Sequence, residues 1–185
     1  MRFRSWYRVR RLRAFGATVS LHWSVFAGVA VLAVLSMDSP LHATVAVVSY
    51  LSVVAVHELG HAYIAKKRGL DVVAIRIAFF HGTCEFESPD YEWDEVLVAW
   101  GGVLAQLVVA LPILLIAVFL NDTDLGYFNP AIVILGYLNL LFALVNLTPA
   151  EPFDGARAWR IVALMRAARA SRSAINRARK KWGRR

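Results

Sequence analysis

The residues with the clearest chemical potential lie together in the segment His57-Glu58-Leu59-Gly60-His61. On a helix, side chains four positions apart project from the same face one turn apart, so both imidazoles can reach one metal ion. This spacing is typical of zinc sites in which the glutamate acts as a general base. Zinc lowers the pKa of a bound water from about 15.7 to about 7, and Glu58 is placed to accept its proton. The segment therefore predicts a hydrolytic site with one zinc ion per chain.

A second segment, residues 146–155, offers the third protein ligand that a catalytic zinc site requires. Its two prolines lie three positions apart and prevent a regular helix, so the chain breaks just before Asp154. Gly155 allows a tight turn or a close approach of the backbone at the next position. We expect Asp154 to complete the zinc site, with Glu151 as a rival carboxylate. A turn at the membrane surface with solvated acids is the alternative interpretation of this segment.

The elements that must hold these residues are unusually apolar. Hydrophobic residues make up 58% of the 185 residues, whereas soluble domains contain about 45–50%. They are concentrated in runs long enough to cross the roughly 30 Å of hydrocarbon in a bilayer. We predict an all-α membrane protein with about four transmembrane helices, near residues 18–37, 41–65, 96–120 and 127–150. Ionisable residues inside a span are costly and usually functional, although a hydrogen-bonded polar cluster between helices is the alternative for residues 57–61.

The positive charges indicate how the chain is oriented. The formal net charge is +8, and the lysines and arginines lie in residues 1–17, between the second and third spans, and in residues 156–185. Because cytoplasmic segments carry an excess of such residues, we expect a multi-pass cell-membrane protein with a zinc-bearing core at residues 18–155. Its basic N-terminus and basic tail would both be cytoplasmic. The same charges favour contact with anionic lipids, and no recognition motif accompanies them that would indicate nucleic acid.

Two cytoplasmic elements are predicted besides the spans. Residues 72–87 are rich in β-branched and aromatic side chains on both sides of His81-Gly82, which indicates a β-hairpin. The acidic stretch that follows is interpreted as a solvated linker. In the C-terminal tail, apolar residues recur at helical spacing among arginines, which is typical of an amphipathic helix at the membrane interface. The one cysteine, Cys84, cannot form an internal disulfide and is assigned no role.

Together the two motifs resemble the site-2 protease family of intramembrane zinc metalloproteases. The resemblance covers roughly residues 18–160 and rests on His57, His61 and a block that is similar to the family's Asn-Pro-Asp-Gly signature. That block consists of Asn146, Pro149, Pro152, Asp154 and Gly155. The resemblance implies that His57, His61 and Asp154 bind zinc. It also implies that Glu58 is the catalytic base, in a minimal form of the family without a PDZ or other accessory domain.

Between the two motifs the family often has Gly-Pro followed by a nearby Asn, whereas this chain has Gly101-Gly102 followed by Gln106. The glycines are interpreted either as a site of close helix packing or as part of the functional site. Gln106 keeps an amide that can hold a substrate carbonyl. We expect Gln106, Asn146 and His81 to contact the substrate, with Gln106 or His81 stabilising the negatively charged intermediate.

The resemblance implies that the substrate is a transmembrane protein, such as a membrane-bound regulator, cut within or near the cytoplasmic side of the bilayer. A substrate helix must unwind before its peptide bonds are open to attack, and the hairpin at residues 72–87 could offer the unwound segment a free edge strand. A zinc-dependent scaffold without catalysis and a transporter that relays protons or metal through residues 57–61 remain as alternatives. Glu58 favours the enzyme, because a scaffold does not need it. The sequence leaves the substrate, the cleavage position and the oligomeric state open.

Overall fold

The computed structural model describes residues 6–35, 39–79, 82–119 and 129–182. It is mostly helical and contains a small sheet. The strands are β1 (Trp6–Ala14), β2 (Ala17–His22), β3 (Val72–Ile77) and β4 (Gly82–Phe86). The first three helices are α1 (Trp23–Leu35), α2 (Pro40–Lys67) and α3 (Glu92–Phe119). They are followed by α4 (Asn129–Ala131), a π-helical segment (Ile132–Leu138), α5 (Asn139–Asn146), α6 (Gly155–Ala158) and α7 (Arg160–Trp182).

The four strands form one sheet in the order β1-β2-β3-β4. β1 and β2 are antiparallel, β2 and β3 are parallel, and β3 and β4 are antiparallel. The predicted hairpin is therefore confirmed, with Ile75 opposite Cys84 and Ile77 opposite Gly82. His81, which we place at its turn, lies outside the described residues. The parallel pairing of β2 with β3 joins the N-terminal segment to the segment between α2 and α3.

The expectation of an all-α fold is wrong for residues 6–22, which form β1 and β2 instead of a basic tail and the start of the first span. Apolar and polar residues alternate along β2, which is the period of a strand with one buried face. Ala17 and Val19 are the buried residues of that face. Average hydropathy hides this alternation, because a half-buried strand and the end of a span are both apolar on average. Helix α1 accordingly begins at Trp23 and has 13 residues.

One hydrophobic cluster joins the sheet to the helices. Its buried members come from β2, β3, the last turns of α2, the turn between α2 and β3, and the first turns of α3: Ala17, Val19, Ala62, Ala65, Leu70, Val72, Ile75 and Val98. Removing this apolar surface from water stabilises the contact between the two layers. The cluster therefore holds the sheet against the end of α2 that carries residues 57–61.

Helices α2 and α3 are long and apolar enough to cross a bilayer, in agreement with the second and third predicted spans. They approach most closely where Gly60 faces Gly101. A Cβ atom on Gly60 would lie 2.4 Å from the Gly101 carbonyl oxygen, and one on Gly101 would lie 2.6 Å from that of Gly60. Small residues permit such backbone contact between apolar helices. At the nearby helix ends, Arg68 Nε pairs with the buried carboxylate of Asp94 at 2.6 Å.

The fourth predicted span corresponds to the described residues 129–146, which run through α4, the π-helical segment and α5. π-Helical turns occur frequently at functional sites, and this one ends next to the buried Asn139. Asn139 Nδ2 donates to the carbonyl oxygens of Gln106, at 3.1 Å, and Leu135, at 3.2 Å. The π-helical turn and α5 are thereby tied to α3.

Beyond α5 the chain is irregular over residues 147–154 and then forms α6 and α7. All of α7 is described, and none of its 23 residues is buried. The predicted helix in the tail is confirmed. Its first turn contacts α3 through Arg160 Nη1, which lies 3.2 Å from Glu95 Oε2 and 3.6 Å from Glu92 Oε1.

Candidate metal centre

The structure brings three of the predicted site residues together. His57 Nε2 and His61 Nε2 lie 3.0 Å apart, and Asp154 Oδ2 lies 3.1 Å from the first and 3.2 Å from the second. The histidines come from successive turns of α2, whereas Asp154 immediately precedes α6. Within the described part of the chain, these three residues form the group whose donor atoms could hold a metal ion, and Glu151 is not part of it.

The donor set fits zinc in chemistry and in size. Two imidazole nitrogens and a carboxylate oxygen are common zinc ligands, bound at about 2.0–2.2 Å. In a tetrahedral site such ligand atoms lie about 3.3 Å from one another, close to the observed separations of 3.0 to 3.2 Å. Three protein ligands also leave a fourth position for water or substrate, as in catalytic rather than structural zinc sites.

The second ring nitrogen of each histidine is held by α3. His57 Nδ1 lies 3.0 Å from Gln106 Oε1, and His61 Nδ1 lies 2.7 Å from the Val98 carbonyl oxygen. Since both partners are acceptors, we assign the ring proton to Nδ1, which leaves the Nε2 lone pair for the metal. The sequence predicts a substrate contact for Gln106. The structure instead places its amide oxygen on a histidine of the site, with the side chain 1% exposed.

Asp154 is ionised at neutral pH. Burial acts to raise the pKa of its carboxyl, but the adjacent imidazoles of His57 and His61 outweigh burial and hold the pKa well below its usual range. The ionised form is the one that binds a cation. The predicted close approach at Gly155 is also present, because a Cβ atom there would lie 2.3 Å from the Leu147 carbonyl oxygen. The residue that follows α5 and the first residue of α6 are therefore in close contact, next to Asp154.

Glu58 lies next to the histidines on α2 and is 2% exposed. Its Oε2 atom has no hydrogen-bond partner among the residues that the structure describes. That oxygen is therefore available to a proton from water or substrate. The space around the carboxylate depends on Gly82, because a Cβ atom there would lie 2.3 Å from Glu58 Oε1. The first residue of β4 thus forms a wall of the site beside the predicted base.

Gly102 also belongs to the site, as the second of the two interpretations of the glycine pair expects. A Cβ atom at this position would lie 2.4 Å from His61 Nε2 and 2.6 Å from His57 Cε1. The neighbouring Gly101 packs α3 against α2, as the helix-packing interpretation expects. The two adjacent glycines therefore serve different purposes, one in packing and one in leaving room for the donor atoms.

The donor atoms open into a cavity of 660 Å³, lined by β4, the start of α3, the end of α5 and the segment before α6. Asn146 and Glu151 lie on its lining. Cys84 lies there as well. Burial, together with the nearby carboxylates of Glu58 and Glu85, raises the pKa of the Cys84 thiol to about 12. The thiol is therefore protonated at neutral pH and does not supply the thiolate that binds metals.

Two histidines one turn apart, a glutamate between them and a distant carboxylate place this centre in the class of zinc metallopeptidases. Residues 45–127 match the model of Peptidase family M50. The chain is 30% identical to a zinc metalloprotease of Methanocaldococcus jannaschii over 158 residues, which are 84% of this chain and 45% of the relative. The structure of this chain is similar to the solved structure of the site-2 protease from Methanocaldococcus jannaschii, with a TM-score of 0.63 and 28% identity. The similarity covers 85% of this chain and 72% of that chain.

The chain is therefore similar to Peptidase family M50 over residues 45–127 and to a site-2 protease in its fold. These matches confirm the resemblance inferred from the two motifs, and the name of the relative agrees with the zinc that the donor set fits. The chain spans less than half of the length of the curated relatives that it matches.

Proposed function

We propose that this chain is an intramembrane zinc metalloprotease that hydrolyses peptide bonds of transmembrane proteins within or near the cytoplasmic side of the bilayer. The observation that carries the proposal is the convergence of His57, His61 and Asp154 beside Glu58, in a cavity that also borders two long apolar helices. A structural zinc site uses four protein ligands and does not require a buried carboxylate such as Glu58 beside it. The arrangement is therefore that of a hydrolytic centre.

In the proposed reaction, bound zinc supplies a Lewis acid that polarises the scissile carbonyl and lowers the pKa of the attacking water. Glu58 accepts a proton from that water and then passes the proton to the leaving amine. Gln106 and the Val98 carbonyl hold the two imidazoles in place, so that the ligand geometry is set before the substrate arrives. Burial of Glu58 limits competition from bulk water for the proton that it carries.

The position of the site along α2 supports cleavage near one face of the membrane. His57 lies 16 positions (57 − 41) from Leu41, or about 24 Å at about 1.5 Å per residue. Since the hydrocarbon layer is about 30 Å thick, the site lies beyond its middle, toward the end of α2 that carries Lys66 and Lys67. The polar lining of the cavity offers water a route from that side.

We further propose that the unwound substrate segment pairs with β4. This strand is the last in the sheet order, and Gly82, Thr83, Cys84 and Phe86 line the cavity. A strand added at this edge would carry its peptide bonds past Glu58. Thr83→Pro and Cys84→Pro test the pairing, because consecutive N–H groups along a strand point to opposite edges. One of the two variants removes an N–H that points to the free edge of β4, and the other removes an N–H that points to β3. The variant at the free edge should lose cleavage and retain zinc. Normal cleavage by both variants would contradict the pairing.

Two contacts support a multi-pass protein with four spans and both termini in the cytoplasm. β1 and β2 share a sheet with β3 and β4, so the N-terminal segment lies on the same side as the segment between α2 and α3. Arg157 and Arg160 pair with Glu95 at the start of α3, which brings the beginning of the tail to that side as well. If α1, α2, α3 and residues 129–146 are the spans, all basic segments are cytoplasmic, in keeping with the positive-inside rule.

We also propose that α7 lies on anionic lipid headgroups. The chain carries no acidic residue after Asp154 but many arginines and lysines. Ile161, Leu164, Ile175 and Trp182 fall on one face of the helix, as in interfacial amphipathic helices. Tryptic cleavage within α7 should therefore be slower in nanodiscs that contain phosphatidylserine than in nanodiscs of phosphatidylcholine alone. Equal cleavage rates would contradict a role for anionic lipid.

Co-expression with a panel of single-span membrane proteins tests the activity itself. The wild-type chain should produce a shortened substrate band, and Glu58→Gln should abolish the band while retaining zinc, because an amide cannot accept the proton. Glu87→Gln alters an exposed acid just beyond β4 and should cleave like the wild type. Full activity of a zinc-loaded Glu58→Gln variant would favour the scaffold, and ion flux in liposomes without a cleaved band would favour the transporter.

A further inference from the structure

We propose that Trp100 and Trp159 are positioning residues for the third zinc ligand. Their indole N–H groups hold the backbone on both sides of Asp154, so that its carboxylate stays against His57 and His61. The inference rests on the zinc site of the proposed function. It concerns the one ligand of that site that does not come from α2.

The local backbone holds Asp154 through turn hydrogen bonds, in which its carbonyl oxygen accepts from the N–H groups of Arg157 at 2.9 Å and Ala158 at 2.8 Å. The histidines lie on a long, regular helix, whereas residues 147–154 are irregular. Two prolines in this segment donate no backbone hydrogen bond. Metal–ligand distances are held to about ±0.2 Å, so a displacement of about 1 Å would remove Asp154 from coordination. Contacts that tie these turns to the helices therefore contribute to fixing the carboxylate.

Trp159 links the two ends of the stretch of chain that contains Asp154. Its Nε1 donates to the carbonyl oxygen of Leu147 at 2.7 Å. Leu147 is the C-cap residue that follows α5, and the last carbonyls of a helix have no partner within the helix. The bond therefore joins the first residue of the irregular segment to the residue after α6. Asp154 lies between these two ends.

Trp100 fixes this stretch of chain to α3. Its Nε1 donates to the carbonyl oxygen of Ala158, the last residue of α6, at 3.0 Å. The rings of Trp100 and Trp159 meet edge to face, with their centroids 5.8 Å apart. On the same stretch of α3, the Val98 carbonyl holds His61. One short part of α3 therefore sets a histidine ligand and the aspartate segment relative to each other.

Ion pairs lie at the outer side of the same contact. Arg157 Nε is 3.4 Å from Glu95 Oε1, and Arg160 Nη1 is 3.2 Å from Glu95 Oε2. The side chains of both arginines are about half exposed, as is Trp159, and partly exposed ion pairs between flexible side chains contribute little to stability. The indole hydrogen bonds are directional and join rigid rings to backbone atoms, which makes them the better means of setting a ligand position.

Trp100→Phe and Trp159→Phe test the inference, because each removes one donor and retains an aromatic ring. Each variant should bind zinc about 10-fold more weakly or worse, as expected for a lost outer partner of a metal site. Competition with a chromogenic chelator measures the affinity. The absorption spectrum of the cobalt-loaded protein should also change, since it reports the number and geometry of the ligands. Trp93→Phe alters a tryptophan in the first turn of α3 and should match the wild type in both measurements.

Thermal unfolding of the zinc-free proteins separates positioning from a general structural role. We expect midpoints close to that of the wild type. Wild-type zinc affinity with an unaltered cobalt spectrum in both variants would overturn the inference, and so would zinc loss that follows equal destabilisation of the zinc-free chain. Where a phenylalanine variant does not fold, benzothienylalanine at the same position keeps the ring shape without the N–H and decides. A wild-type chain that binds zinc but cleaves no substrate would contradict the proposed function and leave this inference intact.

Discussion

Gly102 leaves the space beside the donor atoms that any larger residue would fill. A Cβ atom at this position would lie 2.4 Å from His61 Nε2 and 2.6 Å from His57 Cε1, closer than the 3.0 Å that real Cβ atoms respect. Gly102→Ala should displace the imidazoles and weaken zinc binding by about 10-fold or more, as measured by chelator competition. Gly136→Ala adds the same methyl group against the flexible Leu114 side chain and should bind zinc normally. Equal zinc affinities of the two variants would contradict this prediction.

Gln106 and Asn146 are both predicted to contact substrate, but they have different neighbours in the structure. Both residues line the cavity, but Gln106 Oε1 also lies 3.0 Å from His57 Nδ1. Gln106→Leu removes the acceptor that orients the imidazole and should weaken zinc binding by about 10- to 100-fold. Asn146→Ala should retain zinc affinity and raise KM or lower kcat for a cleaved substrate. Unchanged zinc binding in the first variant, or zinc loss in the second, would refute this division of roles.

At the scale of residues, the sequence predicts what depends on local chemistry. The spacing of His57 and His61 places both on one helix face wherever the helix lies, and the structure brings them to the expected Asp154. The parts played by Gly82 and Gly102 depend on contacts between elements. A single sequence does not specify how α3 is rotated about its axis, and that rotation decides which of two adjacent glycines faces the donor atoms.

At the scale of elements, the contact between α2 and α3 fixes the histidines relative to the acceptors that orient them. Its tightest point is Gly60, where a Cβ atom would lie 2.4 Å from the Gly101 carbonyl oxygen and 2.6 Å from Ala105 Cβ. Because neither atom can move without its helix, Gly60→Ala should lower the free energy of unfolding of the zinc-free protein by about 1–3 kcal/mol. Unfolding in detergent measures the midpoint, and Val108→Leu, on an exposed face of α3, should behave like the wild type. An unshifted midpoint in Gly60→Ala would show that the contact between α2 and α3 accommodates a methyl group at this position.

Elements with long, uniform patterns are the ones that sequence analysis predicts: two long apolar helices, the hairpin and the tail helix. β1 and β2 are missed for a physical reason. A strand obtains its hydrogen bonds from a partner, and the partner of β2 is β3, where Val19 lies opposite Ile75. No local window contains both residues, so the apolar average of the N-terminal run favours a span.

The acidic stretch after β4 shows the same dependence on distant partners. Interpreted from its own charges, it is a solvated linker, but Asp94 is buried and pairs with Arg68 at 2.6 Å. Glu95 pairs with Arg157 and Arg160. The stretch therefore connects the start of α3 to the end of α2 and to the tail, which the composition of the segment alone does not indicate.

At the scale of the whole molecule, the proposed topology can be tested by thiol labelling. In a Cys84→Ala background, Asp71→Cys and Ser173→Cys should resist an impermeant maleimide in intact cells and react after permeabilisation. Both native residues are exposed, and both belong to segments proposed to be cytoplasmic. Thr123 lies between the third and fourth predicted spans, outside the described residues, and this topology places it on the outer side of the membrane. Thr123→Cys should therefore react in intact cells and serves as the control. Labelling of Asp71→Cys without permeabilisation would refute the proposed orientation.

Zinc at the candidate centre would join two parts of the chain that are far apart in sequence, α2 and the segment before α6. Two imidazoles and a carboxylate within 3.0 to 3.2 Å of one another are donors that a single zinc ion can bind together. A ligand that binds only the folded state stabilises it by about 2.7 kcal/mol at about 100 times its Kd. Chelation should therefore lower the unfolding midpoint by about 5 °C or more, and added zinc should restore it. The midpoint of His57→Ala should not respond to zinc. An identical wild-type midpoint with and without zinc would show that zinc does not stabilise the folded protein at this centre. That result would contradict the proposed basis for catalysis.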